Sequence, residues 1–204
     1  AFTKINLTGA GGTVMGFAWG DYDGDGDLDL AVANSNAEDE QVLRNDGGGV
    51  FTKFVLTGTG QSSMAIAWGD YDNDGDLDLA VANSNAEDEQ VLRNDSGVFT
   101  KITLAGTAGA SQAIAWGDYD GDGDLDLAVA NNQGQDESVL RNDGGGAFTK
   151  LTLTDTVGDS IGIAWGDYDG DGDLDLAVAN NGQDSYLARN DGGGAFVKLT
   201  LGGT

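Results

Sequence analysis

The sequence predicts an all-β protein, a β-propeller of four-stranded antiparallel blades carried as four near-identical repeats. Three observations predict it. A unit recurs from end to end, with Trp19, Trp68, Trp116 and Trp165 at spacings of 49, 48 and 49 residues. Each unit holds four short apolar or alternating runs divided by Gly, Asn and Asp turns, and proline is absent. The period suits a four-stranded blade and not a parallel β-roll, which repeats about every nine residues.

Taken in order, residues 1–12 form an extra outer strand (Phe2–Leu7) and a linker. Residues 13–57, 58–105, 106–154 and 155–204 are blades one to four. Blade one is expected to run Val14–Gly20, Leu28–Ala33, Gln41–Asn45 and Phe51–Leu56. Blade two follows with Met64–Gly69, Leu77–Ala82, Gln90–Asn94 and Phe99–Leu104. Blade three has Ala113–Gly117, Leu125–Ala130, Ser138–Asn142 and Phe148–Leu153, and blade four Ile161–Gly166, Leu174–Ala179, Tyr186–Asn190 and Phe196–Leu201. Each first strand is rich in Gly and Ala, which suits a place where strands converge. Each second strand, such as Leu28-Asp29-Leu30-Ala31-Val32-Ala33, becomes apolar on both faces and reads as covered on both sides. Each fourth strand alternates openly. In Phe99-Thr100-Lys101-Ile102-Thr103-Leu104, Lys101 faces away from Ile102 and Leu104, as on a guarded sheet edge.

The first two strands of each blade are joined by an aspartate ladder. In the first, Asp21, Asp23, Asp25, Asp27 and Asp29 alternate with Tyr22, Gly24, Gly26 and Leu28. The others carry Asp70, Asp72, Asp74, Asp76 and Asp78; Asp118, Asp120, Asp122, Asp124 and Asp126; and Asp167, Asp169, Asp171, Asp173 and Asp175. Alternating carboxylates with a turn glycine at the sixth position wrap oxygen ligands around one hard cation, and Ca2+ is the usual occupant. Positions 1, 3, 5 and 9 would offer carboxylates and position 7 its backbone carbonyl. An EF-hand needs a Glu at position 12 and a helix after it. Here Val32, Val81, Val129 and Val178 occupy that position within a strand, so the likeness covers only the first half of such a loop. Two carboxylates about 4 Å apart repel by roughly 4 kcal/mol at an effective dielectric of about 20. Several such pairs in one loop require a cation or an open loop.

Composition limits the partners. Against 35 acids stand 9 bases, a formal charge of −26, and four divalent ions would still leave about −18. Nucleic acid and anionic membrane surfaces, which attract Lys and Arg, are therefore excluded as partners. Cys and His are absent, which removes disulfides, thiolate and imidazole metal sites, and Ser-His-Asp or Cys-His catalysis. No apolar run of about 18 residues occurs, so membrane insertion is not expected. The chain does not begin with Met and shows no signal peptide, which fits a processed chain or a piece of something longer.

The run Ala18–Asn34, repeated at Ala67–Asn83 with only Asn73 in place of Gly24, resembles the FG-GAP/VCBS repeat. This is the calcium-loop blade of integrin α-subunit propellers and many secreted bacterial proteins. The resemblance implies a propeller with about four Ca2+, one per repeat, between the first and second strands of each blade. It also implies an extracellular or cell-surface role in adhesion, carbohydrate or protein binding, or assembly. Family members usually carry six to eight blades and this chain supplies four. A homo-oligomer completing a larger ring or a filament is one expected partner, and a glycan or protein ligand is another. From the residues themselves the first reading is a non-catalytic calcium-stabilised binding module. A lectin and a carboxylate-based polysaccharide-active enzyme are the alternatives. The four Trp are read as packed between blades, and the four Arg as paired with nearby carboxylates. The Asp-Gly-Gly-Gly segments are read as turns. The connections that differ between repeats are the expected ligand-facing places. They are Gly9–Thr13, Gly58–Ser63, Ala105–Gln112, Asp155–Ser160, Ser35–Glu40, Ser84–Glu89, Asn132–Glu137 and Asn181–Ser185.

Overall fold

A computed structural model describes Lys4, Asn6, Leu7 and residues 12–200. The rest of the expected strand Phe2–Leu7, Gly9–Gly11 of the first connection, and Leu201 lie outside the described residues. Sixteen strands form four antiparallel sheets, each a meander in sequence order. Blade one contains β1 (Val14–Gly20), β2 (Asp29–Asn34), β3 (Glu38–Asn45) and β4 (Phe51–Gln61). Blade two contains β5 (Ser63–Gly69), β6 (Asp78–Asn83), β7 (Gln90–Asp95) and β8 (Val98–Thr103). Blade three contains β9 (Ser111–Gly117), β10 (Asp126–Asn131), β11 (Ser138–Asn142) and β12 (Phe148–Thr152). Blade four contains β13 (Ser160–Gly166), β14 (Asp175–Asn180), β15 (Tyr186–Asn190) and β16 (Phe196–Thr200).

The second strands β2, β6 and β10 are buried along their whole length, as their two-faced apolar pattern predicts, and the fourth strands lie at the sheet edges. Two connections of blade one differ from expectation, and Ser35–Glu40 gives its last three residues to β3. Gly58–Ser63 is mostly strand, because β4 continues to Gln61 and pairs it with Glu38. Asp39 Oδ1 makes this possible by accepting the backbone N–H groups of Gly58 and Gly60.

Blades stack through their first strands, β1 on β5, β5 on β9 and β9 on β13. The core lies between blades. One cluster joins Tyr22, Ala31, Ala33 and Val42 of blade one to Ile66, Leu79, Val81 and Leu92 of blade two, and the next two boundaries repeat it. The Trp side chains fit as expected at three boundaries. Trp68, Trp116 and Trp165 stack on Tyr22, Tyr71 and Tyr119 of the preceding blade, with ring centroids 5.9, 6.2 and 6.0 Å apart. Their indole Nε1 groups donate to the carbonyls of Ala18, Ala67 and Ala115 at 3.1–3.2 Å. Such pairs contribute about 0.5–1.5 kcal/mol beyond the area they bury. Trp19, in the first described blade, is 56% exposed.

A second device joining the blades is not apparent from local pattern. Glu40, Glu89 and Glu137 end connections expected to face a ligand, yet all three are fully buried. Each accepts a backbone N–H, from Asn34, Asn83 and Asn131 respectively. Each also meets a serine of the following blade, Ser63, Ser111 or Ser160. The buried hydroxyls of Thr59, Thr107 and Thr156 accept the N–H groups of these glutamates, so parts of two variable connections are structural. Ser111 Oγ lies between Glu89 Oε1 at 2.5 Å and Asn131 Oδ1 at 3.0 Å. One hydroxyl proton cannot serve two acceptors, so a proton on Glu89 completes the set. Burial pushes Glu40 and Glu89 up to about 7, and raises Glu137 as well.

A carboxyl whose folded value exceeds its unfolded value of 4.5 stabilises the fold fully below that pH, and the contribution is lost as pH rises through about 7. In excess chelator the melting temperature should therefore fall between pH 5 and 8. The double variant Glu40→Gln/Glu89→Gln should flatten that slope by on the order of 2–3 kcal/mol per site. An unaltered slope in thermal melts across this range would show that the two glutamates are ionised when folded.

Candidate metal centres

Each aspartate ladder folds into a compact loop between the first two strands of its blade. The first aspartate organises the turn. Asp21 Oδ1 and Oδ2 accept the N–H groups of Asp25 and Gly26 at 3.1 and 3.0 Å, and Asp70 repeats this with Asp74 and Gly75. Gly26, Gly75, Gly123 and Gly172 have φ of 93–100°, the left-handed region that makes glycine the fitting residue at position six.

Three carboxylates of each ladder come together, with one oxygen of each lying within 4.8 Å of the others. The groups are Asp21, Asp23 and Asp29; Asp70, Asp72 and Asp78; Asp118, Asp120 and Asp122; and Asp167, Asp169 and Asp175. Positions 1 and 3 thus meet in every loop, joined by position 9 in three loops and position 5 in the third. Asp25, Asp74, Asp126 and Asp171 stand outside these triples. The position-7 side chains turn elsewhere. Asp76 Oδ2 accepts the Ser96 N–H at 2.7 Å in the β7–β8 turn, and Asp124 Oδ1 accepts Asn73 Nδ2 at 2.8 Å. A carbonyl role for Asp76 and Asp124 fits side chains employed in this way.

The position-9 aspartates are buried under their loops. Asp78 Oδ2 accepts the Tyr71 N–H at 3.0 Å and Oδ1 the Asn94 N–H at 2.7 Å; Asp29, Asp126 and Asp175 make the matching bonds. Among protein groups alone, burial pushes Asp78 and Asp126 up to about 7 and raises Asp29. Desolvation, followed by neighbouring aspartates, also raises Asp72 and Asp120. Asp72 Oδ1 is buried with no hydrogen-bond partner. A carboxylate oxygen hidden from water beside two more carboxylates fits a divalent cation, and the donor set, all oxygen, suits a hard one.

Neighbouring blades clamp these loops. Asn94, Asn142 and Asn190 donate through Nδ2 to the carbonyls of Tyr22, Tyr71 and Tyr119 in the preceding loop at 3.3, 2.8 and 2.9 Å. Sequence reading missed these asparagines, although each stands after an Arg at one register in every repeat. Arg44, Arg93, Arg141 and Arg189 pair with Asp46, Asp95, Asp143 and Asp191 at 2.6–2.8 Å, as expected. Among the described residues, no helix is long and apolar enough to cross a membrane.

The geometry has a counterpart in sequence comparison. Residues 21–81, 70–129 and 118–178 match the FG-GAP-like repeat, each match spanning two successive ladders, and the chain belongs to this family. No curated protein matches the sequence. Among solved structures, the chain resembles an Agrocybe aegerita lectin described by its recognition of non-reducing terminal N-acetylglucosamine. That likeness has a TM-score of 0.61 and 21% identity and covers 89% of this chain and 50% of the lectin. The V. cholerae biofilm matrix protein Bap1 is similar at a TM-score of 0.53 and 17% identity, over 91% of this chain and 30% of Bap1. This chain therefore spans half or less of either protein's length, and the likeness establishes a shared fold.

Asp72 and Asp78 differ in what they do for the chain itself. In excess chelator, Asp78→Asn should cost about 1–3 kcal/mol, because the amide nitrogen that replaces one oxygen cannot accept an N–H. Asp72→Asn should cost less than about 0.5 kcal/mol there, since it removes repulsion and leaves no donor unsatisfied. Equal losses in chelator melts would contradict this division.

Proposed function

We propose that the chain is a non-catalytic, calcium-stabilised propeller module for binding and assembly outside the cell. The observation that carries the reading is the recurrence of a carboxylate triple at one place in four blades, together with the unpartnered, buried Asp72 Oδ1. Ca2+ would be held by the aspartates at positions 1, 3, 5 and 9 and by the position-7 carbonyls. Once bound it neutralises the loop and fastens the first strand to the second. The blades are taken as 13–57, 58–105, 106–154 and 155–204, each containing one complete ladder, with the end of β4 reaching past the first limit to Gln61. Loops of modest affinity fill where calcium is abundant, which supports an extracellular or cell-surface setting. The clustered carboxylates recur with the repeat and are committed to loop geometry, so none stands apart as an acid–base pair.

A lectin is the second reading. An open groove between β4 and β8 is lined by Tyr22, Phe54, Phe99, Thr57, Thr59 and Lys101, a mixture of aromatic faces and hydroxyls that suits a sugar ring. The fold shared with the Agrocybe aegerita lectin supports testing it. A glycan array run in calcium distinguishes a lectin from a module that binds only protein.

At free calcium about 100 times the dissociation constant, each independent site adds roughly 2.7 kcal/mol to stability. For a chain of this size that corresponds to roughly 5–10 °C per occupied site. Calorimetric melts with calcium and with excess chelator should therefore separate widely. Coincident melts would overturn the calcium reading.

A further inference from the structure

The three internal blade boundaries obey one rule, and the two end faces carry its unmatched halves. A Cβ placed on Gly20, Gly69 or Gly117 would come within 2.7, 2.6 and 2.5 Å of Trp68, Trp116 and Trp165, because each indole lies against the glycine backbone. At Gly166, the same position in blade four, nothing lies within 4 Å. Gly16 similarly receives the Met64 carbonyl, at 3.1 Å from its notional Cβ, whereas Gly162 meets only Ala179 of its own sheet. Tyr22, Tyr71 and Tyr119 are buried beneath the next blade, while Tyr168 is 47% exposed. Along this open face runs a shallow groove lined by Gly162, Ala164, Ala177, Ala179 and Ser185.

Blade one presents the other half. Met15, Phe17 and Trp19 are exposed along one face of β1, where the corresponding Ile66 and Ile114 are buried in the boundaries before them. Leu7 packs with Val14 and Phe51 against Leu30, Val32 and Leu43, and the β1 row stays exposed. Asn45 Nδ2 donates to Leu28 O at 3.2 Å, and the bond to a preceding tyrosine carbonyl made by Asn94, Asn142 and Asn190 has no counterpart among the described residues.

The glutamate–serine pair is dismantled at both ends. Ser185 stands where the other blades have Glu40, Glu89 and Glu137, and accepts the Asn180 N–H in their manner. Val14, paired with Asn34, stands where they have Ser63, Ser111 and Ser160. Bringing the two ends together therefore buries no carboxylate lacking its serine.

We propose that the open face of blade four seats blade one of a second copy of this chain. Trp19 lies over Gly166, its Nε1 donates to the Ala164 carbonyl, its ring stacks on Tyr168, and Asn45 Nδ2 donates to the Tyr168 carbonyl. The occupant is a second copy because each face is the complement of the other that the internal boundaries define. The contact is head-to-tail, so two copies close a ring if the rotation permits and otherwise extend a filament.

The test is the mass of the whole chain in calcium, measured by light scattering and sedimentation. Ionic strength is set near 0.15 M, where a Debye length of about 8 Å screens the acidic surfaces. Wild type at concentrations on the order of 100 µM should give twice 20.9 kDa or a higher multiple. Gly166→Phe and Trp19→Ala should each give a single-copy mass, and an equimolar mixture should recover a two-copy particle, since each variant keeps the half that the other lacks. Both positions are open in the single chain, so calcium melts run dilute enough for wild type to be single-copy should match across the variants; if Gly166→Phe melts lower there, Ala177→Lys on the same face replaces it. A single-copy mass for wild type overturns the proposal, including the case in which one chain closes on itself and shields Trp19 from quencher. Assembly of Gly166→Phe or Ala177→Lys as tight as wild type overturns it too.

Discussion

The structure depends on one buried carboxylate per blade, at the ninth position of each aspartate ladder. Asp78 shows what it does. One oxygen takes the N–H of Tyr71 at the start of the loop and the other the N–H of Asn94 at the end of β7. The Asn94 side chain then donates to Leu77 in its own loop and to Tyr22 in the previous blade, and accepts the Gly97 N–H in the β7–β8 turn. A single aspartate thereby fixes the loop, the adjoining turn and, through its asparagine, the neighbouring blade. It also stands in the carboxylate triple. Charge on Asp78 is costly when buried unless cancelled nearby, so the same residue that orders the loop creates its demand for a cation.

The molecule contains two populations of buried acids with different requirements. Glu40, Glu89 and Glu137 lie at blade boundaries, each with a serine and a backbone N–H, where a shared proton satisfies every acceptor. The ladder aspartates crowd together, and there a divalent ion answers the repulsion that one proton would only reduce. Without metal, low pH eases both populations, since protonation also reduces the repulsion within the ladders; at neutral pH a divalent ion would relieve the ladders and leave the boundary glutamates their cost of burial.

Much of this was legible in the sequence because repetition supplies its own control. The strand order, the loops between first and second strands, the edge position of strands such as β8 and the Trp packing all followed from residues recurring at one register. What was not legible depends on burial that local pattern hides. Ser35–Glu40 reads as a variable, ligand-facing connection, yet Glu40 enters a boundary because Thr59 and Ser63, from a different connection, fold over it. The continuation of β4 to Gln61 depends on Asp39 capturing two distant N–H groups, which no propensity signals. The ladders showed the ligand types but not that position 5 stands apart from the triple in three loops. Spacing alone does not reveal that this side chain is also engaged locally, Asp25 Oδ1 accepting the Asp27 N–H in a bond that the other ladders repeat.

Near-exact repetition also has a geometric consequence. When each blade carries the same front and the same back, the contact that joins blades one and two is written on every blade, and stacking leaves one front and one back unspent. A hydrophobic front such as Met15, Phe17 and Trp19 would ordinarily be blunted by charge to prevent association. Here blades one and four differ from the others in another way: the buried acid becomes Ser185 and its serine partner becomes Val14, while the indole, the bare glycine and the tyrosine beneath it are all kept. Removing the acid and keeping the apolar lock lowers the electrostatic cost of contact between two strongly acidic molecules without weakening its fit.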